Sequence, residues 1–384
     1  HFMSFGGEQR NFSHPEIKRE GMDATMRIAM VGHKRVPSRE GGIEVVVEEL
    51  AARMVIHGHT VTCYNRSGLN TVTREIGVTE LERMITTFTA YGAKRILISG
   101  GEPTLHSEFE KIAALPSRYP QLSFGVTTNG TTAAARSVLA PAIKSQKNMT
   151  LQISLDGSSE ETNALTRGRG NFEKAVEFAR SVSDSPAEKR LKMVVSRGNL
   201  ADVEKFYRLA LSLGFTPEFA FIFRSGNGEC EWDEKTLTPL EKLKVMKTVQ
   251  RLNEESGANA QLPLCSLGCP LSLDDSELSL CVKTDGSIQP CQGLYDGKFT
   301  VANALSFDET EFAEGMRRVR GIAKARAESD YSCGRCILRE KCGKGCMANA
   351  DQLTGDPLAD DGGCEFRKME IVTLSFGKLI REEL

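Results

Sequence analysis

The sequence has no long apolar run, no strong excess of one charge and no apolar leader. No stretch approaches the roughly 20 apolar residues that a membrane-spanning helix needs, and the polar opening HFMSFGGEQRNFSHPEIKREG lacks the apolar core of a signal peptide. The formal net charge of -2 over 384 residues creates no broad field that would attract nucleic acid or an anionic membrane. We therefore expect a cytoplasmic protein with no membrane and no nucleic acid as partner.

Cysteine is scarce in the first part of the chain and crowded in the last. Cys63 is the one cysteine before residue 230, and Cys230 stands alone, whereas the rest of the 11 cysteines fall between Cys265 and Cys364. Such crowding without a secretion signal favours metal binding over disulfide bonds. Residues 261–384 are short of regular patterns and rich in glycine and cysteine, so they could scarcely build a core from side chains alone, and we expect metal to help stabilise them.

The middle of the chain alternates strand patterns with helix patterns about six times. Strands are predicted at 95–99, 122–128, 149–155, 191–196 and 219–223. This alternation predicts an α/β fold with a parallel sheet. Ligands of such folds bind at the C-terminal ends of the strands, and those ends carry the polar and glycine-rich candidates Gly100, Gly101, Glu102, Pro103, Asn129, Ser154, Asp156 and the segment 224–228.

Two helix starts carry recognisable capping patterns. Thr79 and Glu82 have the spacing of a capping box for a helix over about 79–91. Thr238 and Pro239 have the chemistry of an N-cap and first helical residue for a helix over 239–256, which we expect to bridge to the cysteine-rich segment.

The strongest motif is CGRCILREKCGKGC at 333–346, whose spacing is C-x2-C-x5-C-x3-C. Upstream, CVKTDGSIQPC at 281–291 has a turn signal between two short strands, which predicts a hairpin. These cysteines could form structural zinc ribbons or bind iron–sulfur clusters, since both accept all-cysteine sites. The cysteines concerned are Cys265, Cys269, Cys281, Cys291, Cys333, Cys336, Cys342, Cys346 and Cys364.

Together these motifs resemble one known family. The cysteine array is similar to the SPASM domain, and GGEP at 100–103, TTNGT at 127–131 and ISLDG at 153–157 resemble strand ends of the radical S-adenosylmethionine (SAM) enzymes, which SPASM domains follow. The resemblance covers about residues 70–384. It implies a partial (β/α)6 barrel that binds SAM through Gly100–Pro103, Asn129, Ser154, Asp156 and Arg167, with Arg169 as the alternative to Arg167.

The same resemblance implies two auxiliary [4Fe–4S] clusters. One would be held by Cys333, Cys336, Cys342 and Cys364. The other would be held by Cys291 and Cys346 with two of Cys265, Cys269 and Cys281, of which Cys265 and Cys269 are favoured. The implied activity is reductive cleavage of SAM to a 5′-deoxyadenosyl radical, which modifies a peptide or protein substrate. The implied electron donor is a flavodoxin or ferredoxin.

One family motif is missing from this sequence. Radical SAM enzymes hold their catalytic cluster with C-x3-C-x2-C ahead of GGEP, where three thiolates leave one iron open for SAM. If Cys63 were the third of these ligands, Ile56 and Thr60 would occupy the other two positions, and neither is a thiolate. Two hypotheses therefore remain: a peptide-modifying radical SAM enzyme, or a non-catalytic iron–sulfur protein for binding or electron transfer.

A second resemblance covers residues 26–68. MRIAMVGHKRVPSREGGIEVVVEELAARM, with GHTVTCYNRSG after it, resembles the opening of a GT-B glycosyltransferase, although no donor-binding half follows. We therefore expect five segments: a tail at 1–25, a glycosyltransferase-like β-α-β unit at 26–70, the partial barrel at 71–235, a bridging helix at 236–260 and the SPASM domain at 261–384.

Overall fold

The computed structural model describes two strands near the N-terminus and most of the chain beyond residue 74. The described residues are 27–31, 60–64, 75–223, 232–264, 266–273, 278–329 and 333–382, with side chains of the last helix described as far as residue 374. The chain divides into two compact units, His1–Thr73 and Arg74–Leu384.

The first unit contains a parallel pair of strands. Strand β1 is Arg27–Val31 and β2 is Thr60–Tyr64, with Arg27 opposite Thr60 and Val31 opposite Tyr64. Both strands were predicted from their apolar runs. The helix predicted at 41–58 lies outside the described residues.

The second unit is built on a five-stranded sheet in the order β3-β4-β5-β6-β7, and every neighbouring pair is parallel. The predicted α/β fold is therefore confirmed. The strands are β3 Arg95–Ile98, β4 Ser123–Thr128, β5 Met149–Ser154, β6 Glu188–Val195 and β7 Thr216–Phe221.

Helices connect these strands on one face of the sheet. Residues 133–145 and 160–167 have helical structure that the sequence patterns did not predict. The helices are α1 Val78–Ala90, α2 Phe109–Ala113, α3 Leu115–Arg118, a π-helical turn Ala135–Leu139, α4 Ala140–Ser145, α5 Glu160–Arg167, α6 Phe172–Ser181, α7 Val203–Ser212, α8 Trp232–Lys235 and α9 Pro239–Ser256. Short 3-10 turns lie at Pro103–Leu105 and Leu200–Asp202.

The alternation of side chains along each strand separates a core face from a polar face. On β5, Met149, Leu151 and Ile153 are buried among the helices, whereas Thr150 and Ser154 are partly accessible on the opposite face. The core therefore lies between the sheet and its helices, and the other face stays polar.

The cysteine-rich region contains more regular structure than the sequence suggested. A three-stranded antiparallel sheet includes the predicted hairpin, and long helices follow. The elements are β8 Cys281–Val282, β9 Ser287–Gln289, β10 Ala302–Asn303, α10 Glu309–Glu328, α11 Arg339–Cys342, α12 Met347–Thr354 and α13 Cys364–Glu382, with 3-10 turns at Pro270–Ser272 and Gly297–Phe299.

This region has its own apolar core, although the sequence indicated that side chains alone could scarcely build one. Ile288, Phe299, Val319 and Met347 are all less than 2% exposed and belong to one cluster. Helix α10 supplies part of this core because its small and apolar residues pack over the 3-10 turn at Pro270–Ser272. Side-chain burial therefore stabilises this region whether or not metal is bound.

An aromatic cluster joins helix α1, which packs on the five-stranded sheet, to the start of α10. Phe307 meets Phe88 and Tyr91 in edge-to-face contacts with ring centroids 5.9 and 5.6 Å apart, and Phe312 meets Tyr91 at 5.9 Å. A hydrogen bond with Glu309 raises the pKa of Tyr91 to about 12. These contacts pack the cysteine-rich region against the C-terminal end of helix α1.

The two predicted helix caps had different outcomes. Thr238 accepts from the Glu241 N–H at 3.3 Å and Glu241 accepts from the Thr238 N–H at 2.7 Å, so this start is confirmed. The Thr79–Glu82 box is wrong, because Gly77 is the N-cap and Glu80 accepts from its N–H at 3.1 Å. Within the described part of the chain, no helix has the length and apolar character that crossing a bilayer requires.

We expect the sheet core to respond strongly to truncation. Phe124 on β4 is 1% exposed, whereas Leu97 on the neighbouring β3 is 57% exposed. Phe124→Ala should lower the free energy of unfolding by about 3–5 kcal/mol because it leaves a cavity. Leu97→Ala is the control and should cost about 0.5 kcal/mol. Urea unfolding followed by circular dichroism measures both, and equal effects would contradict this core assignment.

Candidate cofactor sites

The Glu102 side chain connects the C-terminal ends of β3 and β4 through hydrogen bonds. Its Oε1 accepts hydrogen bonds from the Thr104 N–H at 3.2 Å, the Thr104 hydroxyl at 2.5 Å and the Thr128 hydroxyl at 2.6 Å. Its Oε2 accepts from the Asn129 N–H at 2.7 Å. Among the described residues no lysine, arginine or histidine forms an ion pair with Glu102, so its charge is oriented by neutral donors.

The glycines of GGEP give the backbone its freedom to turn at this point. Gly100 has a φ of +154°, in a region that L side chains rarely adopt. Glu102 then caps the 3-10 turn that begins at Pro103, which holds its carboxylate at the sheet edge.

Asn129 shapes the loop that follows β4. Its Oδ1 accepts from both the N–H and the hydroxyl of Thr131 at 2.8 Å, which closes an Asx turn. Gly130 has a φ of +70°, and a Cβ there would lie 2.8 Å from the Phe178 ring. The loop is therefore tightly packed, with the Asn129 backbone turned toward Glu102.

Asp156 and Arg167 form an ion pair beyond the end of β5. Arg167 Nε lies 2.9 Å from Asp156 Oδ2, and the two side chains are 26% and 2% exposed. Asp156 Oδ1 accepts from the Val194 N–H at 2.9 Å, which fixes the carboxylate against β6. Ser154, the last residue of β5, is partly exposed at the same edge.

The sequence patterns did not predict a charged cluster that lies on the polar face of the sheet. Glu218 on β7 binds Lys192 at 2.8 Å and Arg190 at 3.2 Å, both from β6. Burial would raise the pKa of Glu218, but hydrogen bonds and charge from Lys192 and Arg190 outweigh it and hold this pKa low. Lys192 lies opposite Ser154 in the sheet register, so this cluster borders the strand-end site. In the sequence, the i, i+2 spacing of Arg190 and Lys192 could have indicated this cluster, because residues so spaced on a strand lie on the same face.

Four of the cysteines line one cavity in the C-terminal region. Cys333, Cys336, Cys342 and Cys364 contribute to its wall. The lining is rich in basic side chains, which come from α10, α11, α13 and the loops between them: Arg326, Arg339, Lys344, Arg367 and Lys368. Four thiols in a basic cavity suit an anionic iron–sulfur cluster, because each of several iron atoms can bind one cysteine thiolate.

A second set of cysteines lies against the apolar core of this region. Cys269, Cys291 and Cys346 interact electrostatically with one another, and Cys281 interacts with Cys291. The backbone N–H groups of Leu271 and Met347 act to lower the pKa of the Cys269 thiol, although burial outweighs them. The Gly293 N–H donates to the Cys291 sulfur at 3.4 Å.

Burial raises the pKa of the thiols of Cys269, Cys281, Cys346 and Cys364. Binding of a metal centre would therefore have to displace protons from these sulfurs. In the described part of the chain, no three histidine, cysteine, aspartate or glutamate side chains form a group that could hold a single metal ion.

Some predicted site residues lie outside the described residues or have no described side chain. The backbone of Cys63 lies on β2 opposite Met30, but its side chain is not described. Cys265 and the segment 224–228 lie outside the described residues. The choice between Cys265 and Cys281 as a fourth member of the second set therefore stays a prediction.

Comparison with known proteins identifies the family of the sheet domain. Residues 61–221 match the family model of the Radical SAM superfamily. This match begins on β2, so it includes Cys63. The mycofactocin maturase MftC of Mycolicibacterium smegmatis is 27% identical over 295 residues, which cover 73% of this chain and 71% of that protein.

Solved structures share the fold. Native anSMEcpe with bound AdoMet superposes with a TM-score of 0.63 at 18% identity, over 93% of this chain and 99% of that one. SuiB of Streptococcus suis bound to S-adenosylmethionine gives a TM-score of 0.60 at 16% identity, over 77% and 70%. Both proteins have also been solved with peptides, anSMEcpe with a Cp18Cys peptide and SuiB with its precursor peptide SuiA. The parallel sheet and the family match together show that residues 61–221 form a radical SAM domain.

Proposed function

We propose that this protein binds SAM at the ends of β3, β4 and β5 and modifies a peptide with the help of iron–sulfur clusters. The observation that supports this most strongly is the Glu102 carboxylate. Four neutral donors hold it at the sheet edge, and within the described residues no cation neutralises it. An ammonium group of a ligand, such as that of SAM, would complete this site.

Asp156, Arg167 and Ser154 would bind the rest of SAM. Asp156 holds the Arg167 guanidinium near the end of β5, where its positive charge suits the SAM carboxylate. The Ser154 hydroxyl can donate to a carboxylate or a ribose oxygen at the same edge. Gly100 and Gly101 let the backbone approach the ligand closely.

The cysteines fit two auxiliary [4Fe–4S] clusters. Cys333, Cys336, Cys342 and Cys364 share one cavity, and Cys269, Cys291 and Cys346 lie together, with Cys281 or Cys265 as fourth ligand. A catalytic cluster would draw on Cys63, which lies inside the matched family range. When bound, SAM and a reduced cluster supply the one-electron chemistry that removes hydrogen from a substrate.

A peptide is the substrate class that the relatives favour, since a maturase and two peptide-bound proteins are among them. The polar face of the sheet is consistent with this choice. Lys192, Arg190 and Glu218 offer charged groups beside Ser154 to a polar chain. A flavodoxin or ferredoxin would supply the electrons.

A second function is favoured by one observation. The sequence has a single cysteine, Cys63, upstream of GGEP. Without a cluster that leaves an iron open for SAM, the protein would use its C-terminal clusters for binding or electron transfer alone.

SAM cleavage distinguishes the two functions. The protein should be reconstituted anaerobically with iron and sulfide, reduced with dithionite and incubated with SAM. The proposed enzyme should form 5′-deoxyadenosine above an iron-free control, and Cys63→Ala should abolish the product. Protein that carries iron in its C-terminal sites but forms no 5′-deoxyadenosine would support the non-catalytic function.

Glu102→Gln tests the SAM site itself. The amide places N–H donors where Oε1 or Oε2 now accepts, and it removes the charge that would bind an ammonium. We expect the Kd for SAM to rise by about tenfold or more. Equilibrium dialysis with labelled SAM measures this, and Glu110→Gln on the exposed side of α2 is the control. Equal affinity of both variants would contradict a role for Glu102.

Iron content tests the two cysteine sets. The two auxiliary [4Fe–4S] clusters would contribute about eight iron atoms per chain, and a catalytic cluster would add about four more. Cys336→Ser and Cys291→Ser should each remove about four of them, since each variant disables a different set. Cys230→Ser is the matched control and should leave the iron content unchanged. Two zinc ions per chain in place of iron would contradict the cluster assignment.

A further inference from the structure

A buried ion pair connects the two cysteine sets. Arg367 Nη1 lies 2.7 Å from Asp361 Oδ2, and Arg367 Nη2 lies 2.5 Å from Asp361 Oδ1. The side chains are only 5% and 1% exposed. This bidentate geometry uses both oxygens of the carboxylate and both terminal nitrogens of the guanidinium.

Each member of the pair also reaches one cysteine set. The third guanidinium nitrogen, Arg367 Nε, donates to Cys342 Sγ at 3.2 Å. Asp361 Oδ2 accepts from the Cys346 N–H at 2.8 Å. Cys342 lines the basic cavity, and Cys346 lies with Cys269 and Cys291. The pair therefore spans from the sulfur of one set to the backbone of the other.

The surrounding backbone is built closely around this pair. Gly345, between the two cysteines, has a φ of +69°, and a Cβ there would collide with both Arg367 and Asp361. Gly363 donates its N–H to Asp361 Oδ1 at 3.0 Å, and a Cβ there would lie 2.5 Å from Arg367 Nη1. Larger residues at these positions would push the guanidinium away from the sulfur.

Other basic groups of the cavity have different roles. Arg326 donates to the carbonyls of Pro357, Ala359 and Lys344. The ammonium group of Lys344 donates to Ser329. Lys368 is exposed at the cavity. Arg367 combines burial, positive charge and an N–H directed at a cysteine sulfur.

We propose that Arg367, held by Asp361, is a positioning residue that sets the reduction potential of the cluster bound by Cys333, Cys336, Cys342 and Cys364. This inference rests on the proposed function, because it needs a cluster in that cavity. When such a cluster accepts one electron, its negative charge grows by one. A buried cation and an N–H donor at Cys342 Sγ stabilise that added charge, so they raise the potential.

The test is a redox titration of the reconstituted protein, followed by electron paramagnetic resonance, with dithionite as the electron donor. Arg367→Gln should lower the ratio of reduced to oxidised cluster about tenfold at a fixed potential, which corresponds to about 59 mV for a one-electron couple. The affected transition should be the one that Cys342→Ala eliminates. The other cluster should shift less, because its contact with the pair is through a backbone N–H.

Two further variants separate this effect from general damage. Lys368→Gln removes an equal charge from the exposed part of the cavity and should shift the ratio less than threefold, because water screens it. Arg367→Gln leaves Asp361 buried without its cation and could impair folding. Arg367→Lys keeps the pair charged but replaces the planar fork, so it should shift the potential in the same direction by a smaller amount.

The outcomes distinguish this inference from the proposed function. Wild-type protein that binds no iron in this cavity would overturn both. If the clusters form normally but Arg367→Gln and Arg367→Lys shift the reduction potential no more than Lys368→Gln does, the inference is overturned and the proposed function is not. The inference is supported if the reduction potential falls only for the cluster that Cys342 binds. The potential should then be lowest in Arg367→Gln, intermediate in Arg367→Lys and highest in the wild type.

Discussion

The candidate SAM site depends on one constraint, the parallel alignment of β3, β4 and β5. Because all three strands run the same way, their C-terminal ends meet at one edge of the sheet. Glu102 then joins two of these ends, since it follows β3 and accepts from the Thr128 hydroxyl and the Asn129 N–H after β4. A single carboxylate thus holds two loops and presents one charge to a ligand.

The cysteine-rich region uses charge in a different way. Its apolar core around Phe299 and Met347 stabilises the fold, and Cys269, Cys291 and Cys346 pack against this core. Basic side chains surround one cysteine set, and the Asp361–Arg367 pair links it to the other. Packing through Phe88, Tyr91 and Phe307 fixes this region against the barrel. Both candidate cofactor regions therefore lie within the second compact unit.

Sequence patterns revealed local features well and distant contacts poorly. The parallel fold, the hairpin before Cys291 and the Thr238 cap follow from short-range chemistry, so they could be predicted. The Thr79–Glu82 box failed because Glu80 reached the free N–H of Gly77 instead. Glu218 and Asp361 were missed because their partners are fixed by sheet register and by tertiary packing, which no motif records. Helices α10 and α13 were not predicted, because the glycines and cysteines of residues 261–384 as a whole indicated irregular structure.

Hydrogen–deuterium exchange with and without SAM tests the central claim most directly, since it follows the backbone of the strand ends themselves. The Asn129 N–H already bonds to Glu102, and a bound ligand should hold the neighbouring loops closed for longer. We predict that SAM slows exchange in segments 99–104, 127–131 and 153–157 and leaves helix α9 unchanged. Unchanged exchange in all three segments, at a SAM concentration that saturates binding, would contradict SAM binding at this edge of the sheet.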